Sequence, residues 1–305
     1  MKKITQNLLF ALAGTLFLFS CGEDDEPVAV DIPSVNVTAS VDGTAISSGD
    51  EVVVGSEVSF NVSITAPGGV NGLDLNGTSY SRTQLGAEAG DTQANITITS
   101  TLGETALGNT VSFEFEAVDD AGQVSTTVTF TIDVVSPAVN SYTQVLIGGF
   151  LNSTLGSFYN AVENIVYTSN DATTNAASVD LLFYYADTPG YTIAALDNAE
   201  AEATISSQTG GTLANFDPQN PTRFKTFLTA PDFDAVSTVA ELQNAYAGDA
   251  ASSDESRVTG LAQGNIFGFV LATARGEKVG IIRVTETTGT QGSDRAIEIE
   301  VKIEP

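Results

Sequence analysis

Residues 111–134 read Val-Ser-Phe-Glu-Phe-Glu-Ala-Val-Asp-Asp-Ala-Gly-Gln-Val-Ser-Thr-Thr-Val-Thr-Phe-Thr-Ile-Asp-Val. Val111, Phe113, Phe115 and Ala117 alternate with Ser112, Glu114 and Glu116. Val128, Phe130, Ile132 and Val134 alternate with Thr129, Thr131 and Asp133. Successive side chains of an extended chain point to opposite faces, so each run offers one apolar face to a core and one polar face to water. Asp119-Asp120-Ala121-Gly122 lies between the runs and carries the residues of a turn. Two half-apolar strands joined by a turn make an antiparallel hairpin.

The same period continues upstream. Val35, Val37, Ala39 and Val41 alternate with polar residues, and Asp42-Gly43 follows as a turn. Val58, Phe60, Val62 and Ile64 repeat the pattern up to Pro67-Gly68-Gly69. Leu73 and Leu75 precede Asn76-Gly77, and Ile96 and Ile98 form another short run. Several short strands divided by turn residues predict a β-sandwich over residues 34–136. The segment from Phe113 to Val134 resembles the last hairpin of bacterial immunoglobulin-like and cadherin-like repeats. That resemblance implies an immunoglobulin-like β-sandwich of the kind used as a spacer in surface proteins. Ser136-Pro137-Ala138 reads as its end, since proline cannot donate to a sheet ladder.

Residues 140–305 have a different texture. Strands are expected over 142–150, 162–168, 179–186, 266–273, 278–285 and 296–303. The run Val-Asp-Leu-Leu-Phe-Tyr-Tyr-Ala at 179–186 is almost continuously apolar, as a strand buried on both faces would be. One helix is expected over 197–207. A second is expected from Thr229, with Thr229 and Asp232 as a capping box and Pro231 in the first turn. Phe233, Val236, Val239, Leu242 and Tyr246 would form its apolar face, and Gly248 would close it. Strands with a few helices predict an α+β domain with a largely antiparallel sheet, so the fold class is mainly β. Residues 179–185, 223–234 and Lys278-Val-Gly-Ile-Ile-Arg-Val resemble C-terminal domains of uncharacterised lipoproteins from the Bacteroidota; this resemblance implies no activity.

The N-terminus sets the expected location. Lys2 and Lys3 precede an apolar run over residues 8–19, and Leu18-Phe19-Ser20-Cys21 follows. A run of that length is well short of the roughly 20 residues that span a bilayer, so it reads as a cleaved signal over residues 1–20. The motif resembles a bacterial lipobox. The resemblance implies a mature chain that begins at lipidated Cys21 and is anchored in the outer membrane. Cys21 is the chain's one cysteine, which leaves it no disulfide partner. Gly22-Glu23-Asp24-Asp25-Glu26 resembles the signal that sends Bacteroidota lipoproteins to the cell surface. Residues 21–33 form an acidic tether, with a reach of roughly 40 Å when extended.

Composition removes several function classes. The chain of 305 residues has 38 acidic and 11 basic residues, a net charge of −27. Loss of residues 1–20 removes Lys2 and Lys3, leaving 9 basic against 38 acidic residues, a net of −29. Such a surface repels nucleic acid, whose binding depends on Lys and Arg neutralising phosphate. There is no histidine, so His-dependent triads and histidine metal sites are excluded. There is no tryptophan, so any sugar stacking falls to tyrosine and phenylalanine.

The candidate residues are few. Tyr184, Tyr185 and Tyr191, with Phe183, are the densest aromatic group, and a ring with a polar tip suits sugars. Tyr184 and Tyr185 must point to opposite faces of a strand. Arg223 and Lys225 flank Phe224 and are conspicuous among so few basic residues; their ordinary role is to neutralise neighbouring carboxylates. Asp119, Asp120 and Asp133 offer hard oxygen ligands to a structural calcium, although Asp-Asp-Ala-Gly reads more simply as a hairpin turn. No other cofactor is expected. The expected function is a non-catalytic, lipid-anchored surface protein whose C-terminal domain binds a ligand, with a polysaccharide or an outer-membrane transporter complex as partner. The alternatives are a carboxylate-based, glycosidase-like hydrolase in residues 140–305, or a purely structural or adhesive surface protein.

Overall fold

The computed structural model describes residues 31–152, 154–248, 250–290 and 294–305. Residues 1–20, Cys21 and the acidic run after it lie outside the described residues. Among the described residues there are twenty strands and three α-helices, and no helix is long and apolar enough to cross a membrane. The fold is mainly β with largely antiparallel sheets, as the alternating patterns predict.

The first nine strands are β1 (Ser34–Val41), β2 (Thr44–Ile46), β3 (Asp50–Val53), β4 (Glu57–Thr65), β5 (Val70–Leu75), β6 (Thr78–Ser81), β7 (Gln93–Thr101), β8 (Thr110–Asp119) and β9 (Val128–Val135). They form a sheet of order β2-β1-β4-β7 and a sheet of order β3-β9-β8-β5-β6. β3 runs parallel to β9, with Asp50 opposite Ile132. Two sheets of this size in this order are the arrangement of an immunoglobulin-type sandwich. Val124 lies ahead of β9 and makes a single bridge to Val118.

Contacts between Cα atoms group the described residues into two compact units, one of 31–38, 60–98 and 113–130, the other of 39–59, 99–112 and 131–305. In the first unit Phe60 of β4 is fully buried. Its ring meets Phe113 at 4.6 Å, Phe115 at 5.5 Å and Phe130 at 5.6 Å between centroids. These are inward positions of the alternating runs, so the pattern in the sequence becomes an aromatic core joining the two sheets.

In the second unit, residues 140–305 add eleven strands: β10 (Asn140–Gly148), β11 (Phe158–Asn160), β12 (Ile165–Tyr167), β13 (Leu181–Ala186), β14 (Gly190–Ala194), β15 (Arg223–Phe227), β16 (Ala250–Glu255), β17 (Arg257–Val258), β18 (Ile266–Val270), β19 (Val279–Thr288) and β20 (Ala296–Ile303). The helices are α1 (Ser169–Thr174), α2 (Ala199–Thr209) and α3 (Val239–Ala247). Where the sequence suggests one sheet, the strands sort into two, of order β10-β20-β19-β18-β15-β16 and β12-β11-β13-β14-β17. Leu181 and Phe183 of β13 join Phe224, Phe267, Ile282, Ile299 and others in the core between them. Leu182 and Tyr184, on the opposite face, pack with Ala172 of α1 and Ala201 and Ile205 of α2. Ile281 of β19 faces away from the shared core and packs on Phe233, Val236 and Leu242 of α3 and the segment before it. The layers are therefore helix, sheet, sheet, helix. This order explains the apolar run at 179–186: β13 is covered on both faces.

The N-cap of α3 is Thr238, nine residues later than the expected Thr229. Asp232 instead accepts from the amides of Asp234 and Ala235, and the Lys302 ammonium takes the carbonyls of Phe233 and Val236. The segment before Thr238 is thereby held as turns. The helix starts at a complete capping box, in which Thr238 accepts from the Glu241 amide and Glu241 accepts from Ser237 and Thr238. Thr238→Ala is expected to lower stability by about 0.5–2 kcal/mol in urea unfolding. The amide and hydroxyl of Ser237 and the Thr238 amide pull the Glu241 carboxyl down from 4.5 to about 2. Its contribution is therefore present above pH 4.5 and is lost as the pH falls towards 2.

One buried ion pair pins the second unit. The Asp180 carboxylate, fully buried, accepts from Arg275 Nε at 2.8 Å and Nη2 at 3.3 Å, and from the Ala161 amide at 2.8 Å. Arg275 Nη2 also donates to Asn160 Oδ1 at 2.9 Å, which in turn accepts from the amides of Val162 and Glu163. Burial nevertheless holds the Asp180 carboxyl above the usual carboxylate range, against the lowering effect of Arg275 and the amides.

Candidate functional site

β13 and β14 are a hairpin closed by Asp187-Thr188-Pro189, with Gly190 at φ +92° in a conformation that favours glycine. The register sets Tyr185 directly opposite Tyr191. Their rings meet edge to face at 5.2 Å, and Tyr191 also stacks on Phe183 at 5.9 Å. The strand period turns Tyr184 to the other side, where it is fully buried among Phe158 and Leu182. Of the three tyrosines singled out in the sequence, the structure brings two together.

The third member of this corner is Arg295, the residue before β20. Its guanidinium carbon lies 3.4 Å from the Tyr185 ring centroid and 5.3 Å from that of Tyr191. Arg295 Nη1 donates to Tyr191 Oη at 3.0 Å, while that hydroxyl donates to the Thr288 carbonyl at 2.8 Å. Nη2 donates to the Thr290 carbonyl at 3.3 Å. Nε is buried and has no hydrogen-bond partner among the described residues. Gly289 makes this placement possible: it sits at φ +89°, and a Cβ there would stand 2.6 Å from Arg295 Cα. An opening of about 210 Å³ lies over the corner, lined by Tyr185 and Arg295 with Leu151, Asp187, Gln208 and Thr290. Gln208 Nε2 donates to the Tyr185 carbonyl at 3.1 Å, which fixes one wall. A tyrosine packed on a cation, an amide and an exposed aliphatic side chain thus line one small space, a combination able to contact a sugar ring and bond its oxygens.

Arg223 and Lys225 lie elsewhere in the same unit, on β15. Arg223 grips Asp197 with two bonds, at 3.0 and 2.6 Å, and reaches Asp254 at 4.0 Å. Lys225 is buried, donates to the Tyr246 carbonyl at 2.5 Å and lies against the rings of Tyr246 and Phe227. Both cations therefore have internal partners. A second opening, of about 400 Å³, is lined by Arg223, Tyr246, Asp254, Thr273 and Glu277. Burial, and secondarily Asp254, raise the Tyr246 phenol above its ordinary value.

The three aspartates are placed apart in their bonding. Asp119 is buried and accepts from the Gln123 amide at 2.7 Å and its side chain at 3.0 Å, closing the hairpin turn. Asp120 pairs with Arg82, and Asp133 accepts from the Thr110 hydroxyl. Among the described residues no group of three or more His, Cys, Asp or Glu side chains gathers in a way that would hold a metal ion.

Sequence reasoning passed over Arg295. Its one signal was scarcity: the chain has few basic residues, and each merits tracing to its partner.

No family model matches the chain. No curated protein matches it. Among solved structures, a DUF4466 family protein from Parabacteroides merdae is similar at a TM-score of 0.34 and 14% identity, over 90% of this chain and 99% of that one. The SrpA adhesin from Streptococcus sanguinis is similar at 0.27 and 15%, over 55% and 87%. The sialic acid binding region of the Streptococcus sanguinis SK1 adhesin, bound to 3'sLn, is similar at 0.26 and 14%, over 52% and 44%. At these values the likenesses lend nothing to the reading of the site, which rests on the side chains above.

Proposed function

We propose that this chain is a lipid-anchored surface protein that captures a saccharide without chemically altering it. In this reading lipidated Cys21 is the anchor, residues 21–33 are the tether, residues 34–136 act as a spacer, and residues 140–305 bind the ligand. The observation that carries the binding reading is the corner of Tyr185, Tyr191 and Arg295 beneath an opening rimmed by Gln208 and Thr290. The absence of histidine and of a second cysteine supports a non-catalytic role. An outer-membrane transporter complex that receives the captured glycan is the partner this role calls for.

Two measurements test it. Metabolic labelling with a fatty-acid probe is expected to mark the wild type and to leave Cys21→Ala unmarked; equal labelling overturns the anchor. The mature chain on a glycan array is expected to bind, and Tyr185→Ala to weaken binding about 10-fold, which corresponds to about 1.4 kcal/mol. Failure against every glycan, together with a defined protein partner, overturns the saccharide reading. The second opening carries the competing hydrolase reading, because Asp254 and Glu277 both line it and glycosidases work with paired carboxylates. Turnover of any glycan that is lost in Asp254→Asn would establish that reading instead.

A further inference from the structure

We propose that the saccharide held at the Tyr185 corner is an acidic sugar, and that Arg295 is the counter-ion of its carboxylate. This rests on the binding role proposed above and names its ligand class.

The chain's six arginines are all within the described residues. Arg82 pairs with Asp120, Arg223 with Asp197, Arg257 with Glu200, Arg275 with Asp180, and Arg283 with Asp234 and Glu300. Arg295 alone has no carboxylate partner among the described residues, in a chain where 38 acidic residues face 11 basic ones. Its two partners, Tyr191 Oη and the Thr290 carbonyl, are neutral. A guanidinium has five donor hydrogens; among the described residues Nη1 and Nη2 each find one neutral acceptor, and the buried Nε finds none. A half-buried cation left in this state acquires its complement from outside.

The geometry says which complement. The guanidinium carbon sits 3.4 Å from the Tyr185 ring centroid and Nη1 is bonded to Tyr191 Oη, so its orientation is set before a ligand arrives and little rotamer freedom remains to be lost. A planar fork in fixed orientation matches a carboxylate with two parallel bonds. The opening of about 210 Å³ is smaller than the roughly 300–1,000 Å³ that encloses a drug-sized ligand. It therefore suits one terminal ring. Leu151 supplies an apolar wall and Gln208 a polar one for that ring. Asp187 is exposed on the same rim and opposes an anion, which makes it a second handle on the charge of the ligand.

The test titrates the mature chain with galacturonate and N-acetylneuraminate, the two common kinds of sugar acid, and with galactose and the methyl ester of galacturonic acid. At least one acid is expected to bind about 10-fold or more tightly than the neutral sugars, the range of a hydrogen bond to a charged group. Which acid binds distinguishes a uronic from a sialic type. Arg295→Met is expected to abolish the preference for acid over ester, Arg295→Lys to keep part of it, and Asp187→Asn to strengthen it. The ester and Asp187→Asn arms need no change at Arg295, so a folding defect there leaves the question answerable. Equal binding of acid and ester, or wild-type affinity for acid in Arg295→Met, overturns this inference and leaves the saccharide role standing. No binding of any sugar, acid or neutral, overturns both.

Discussion

Arg275→Met is expected to destabilise the protein by about 3–5 kcal/mol, the usual consequence of stranding one charge of a buried pair. Asp180 has no solvent exposure, and its neighbours are the Arg275 fork and the Ala161 amide. Removing the guanidinium leaves a carboxylate that is desolvated and supported only by the backbone amides of Ala161 and Val162. It also strips Asn160 of the donor that ties it to residue 275 across 115 positions of chain. The pH dependence follows from direction alone. Burial already raises the Asp180 carboxyl, and without Arg275 it rises further. A raised folded-state value means that the native protein binds the extra proton first, so its stability is greatest below the unfolded value and declines as the pH climbs through the folded one. The variant should therefore gain stability as the pH is lowered from neutrality and Asp180 takes up its proton. Urea unfolding at a series of pH values measures both effects. The double variant Asp180→Asn with Arg275→Met should recover part of the loss. A single variant within 1 kcal/mol of wild type at pH 7 would mean that the pair is not the pin described.

Phe60→Ala is expected to cost about 3–5 kcal/mol, the range for removing a fully buried phenylalanine. Phe60 has zero exposure, and its ring is shared by Phe113 and Phe115 of β8 and Phe130 of β9. The cavity would open between two sheets whose backbones are fixed by their ladders, so little collapse can refill it. Val53→Ala, at a side chain 40% exposed, is the control and should change stability by less than about 0.5 kcal/mol. Phe60 and Arg275 belong to different compact units. Unfolding curves should be fitted for each variant without assuming a single transition.

What was legible in the sequence was whatever a local period encodes. Alternation places Phe60, Phe113, Phe115 and Phe130 on inward faces, and the structure assembles them into one core. The apolar run at 179–186 announces a strand covered on both sides, and β13 lies between a sheet and two helices. The start of α3 was misread because two Thr-x-x-acid patterns lie nine residues apart. Only the second caps a helix, since Lys302, distant in sequence, holds the carbonyls of Phe233 and Val236, which follow the first, in turns. β11, β14 and β15 are too short for a period to emerge. The corner at Tyr185 was half legible. Tyr185 and Tyr191 are near neighbours in sequence, but Arg295 lies 104 positions from Tyr191, a separation that no local pattern carries. Arg223 and Lys225 attracted notice by rarity, yet rarity does not reveal that Asp197 and the Tyr246 carbonyl hold them.

The way the cations are tied down also bears on digestion. Residues 83–222 contain neither lysine nor arginine. Beyond them Arg223, Arg275 and Arg283 are engaged by carboxylates, Lys225 is buried, and Lys302 is bonded to two carbonyls. A protease that cuts after basic residues must draw such a side chain and its flanking strand out of the fold before it can cleave. Strands β15, β19 and β20 are stitched into one six-stranded ladder, so that extraction amounts to local unfolding. Trypsin-like enzymes would then find few footholds among the described residues.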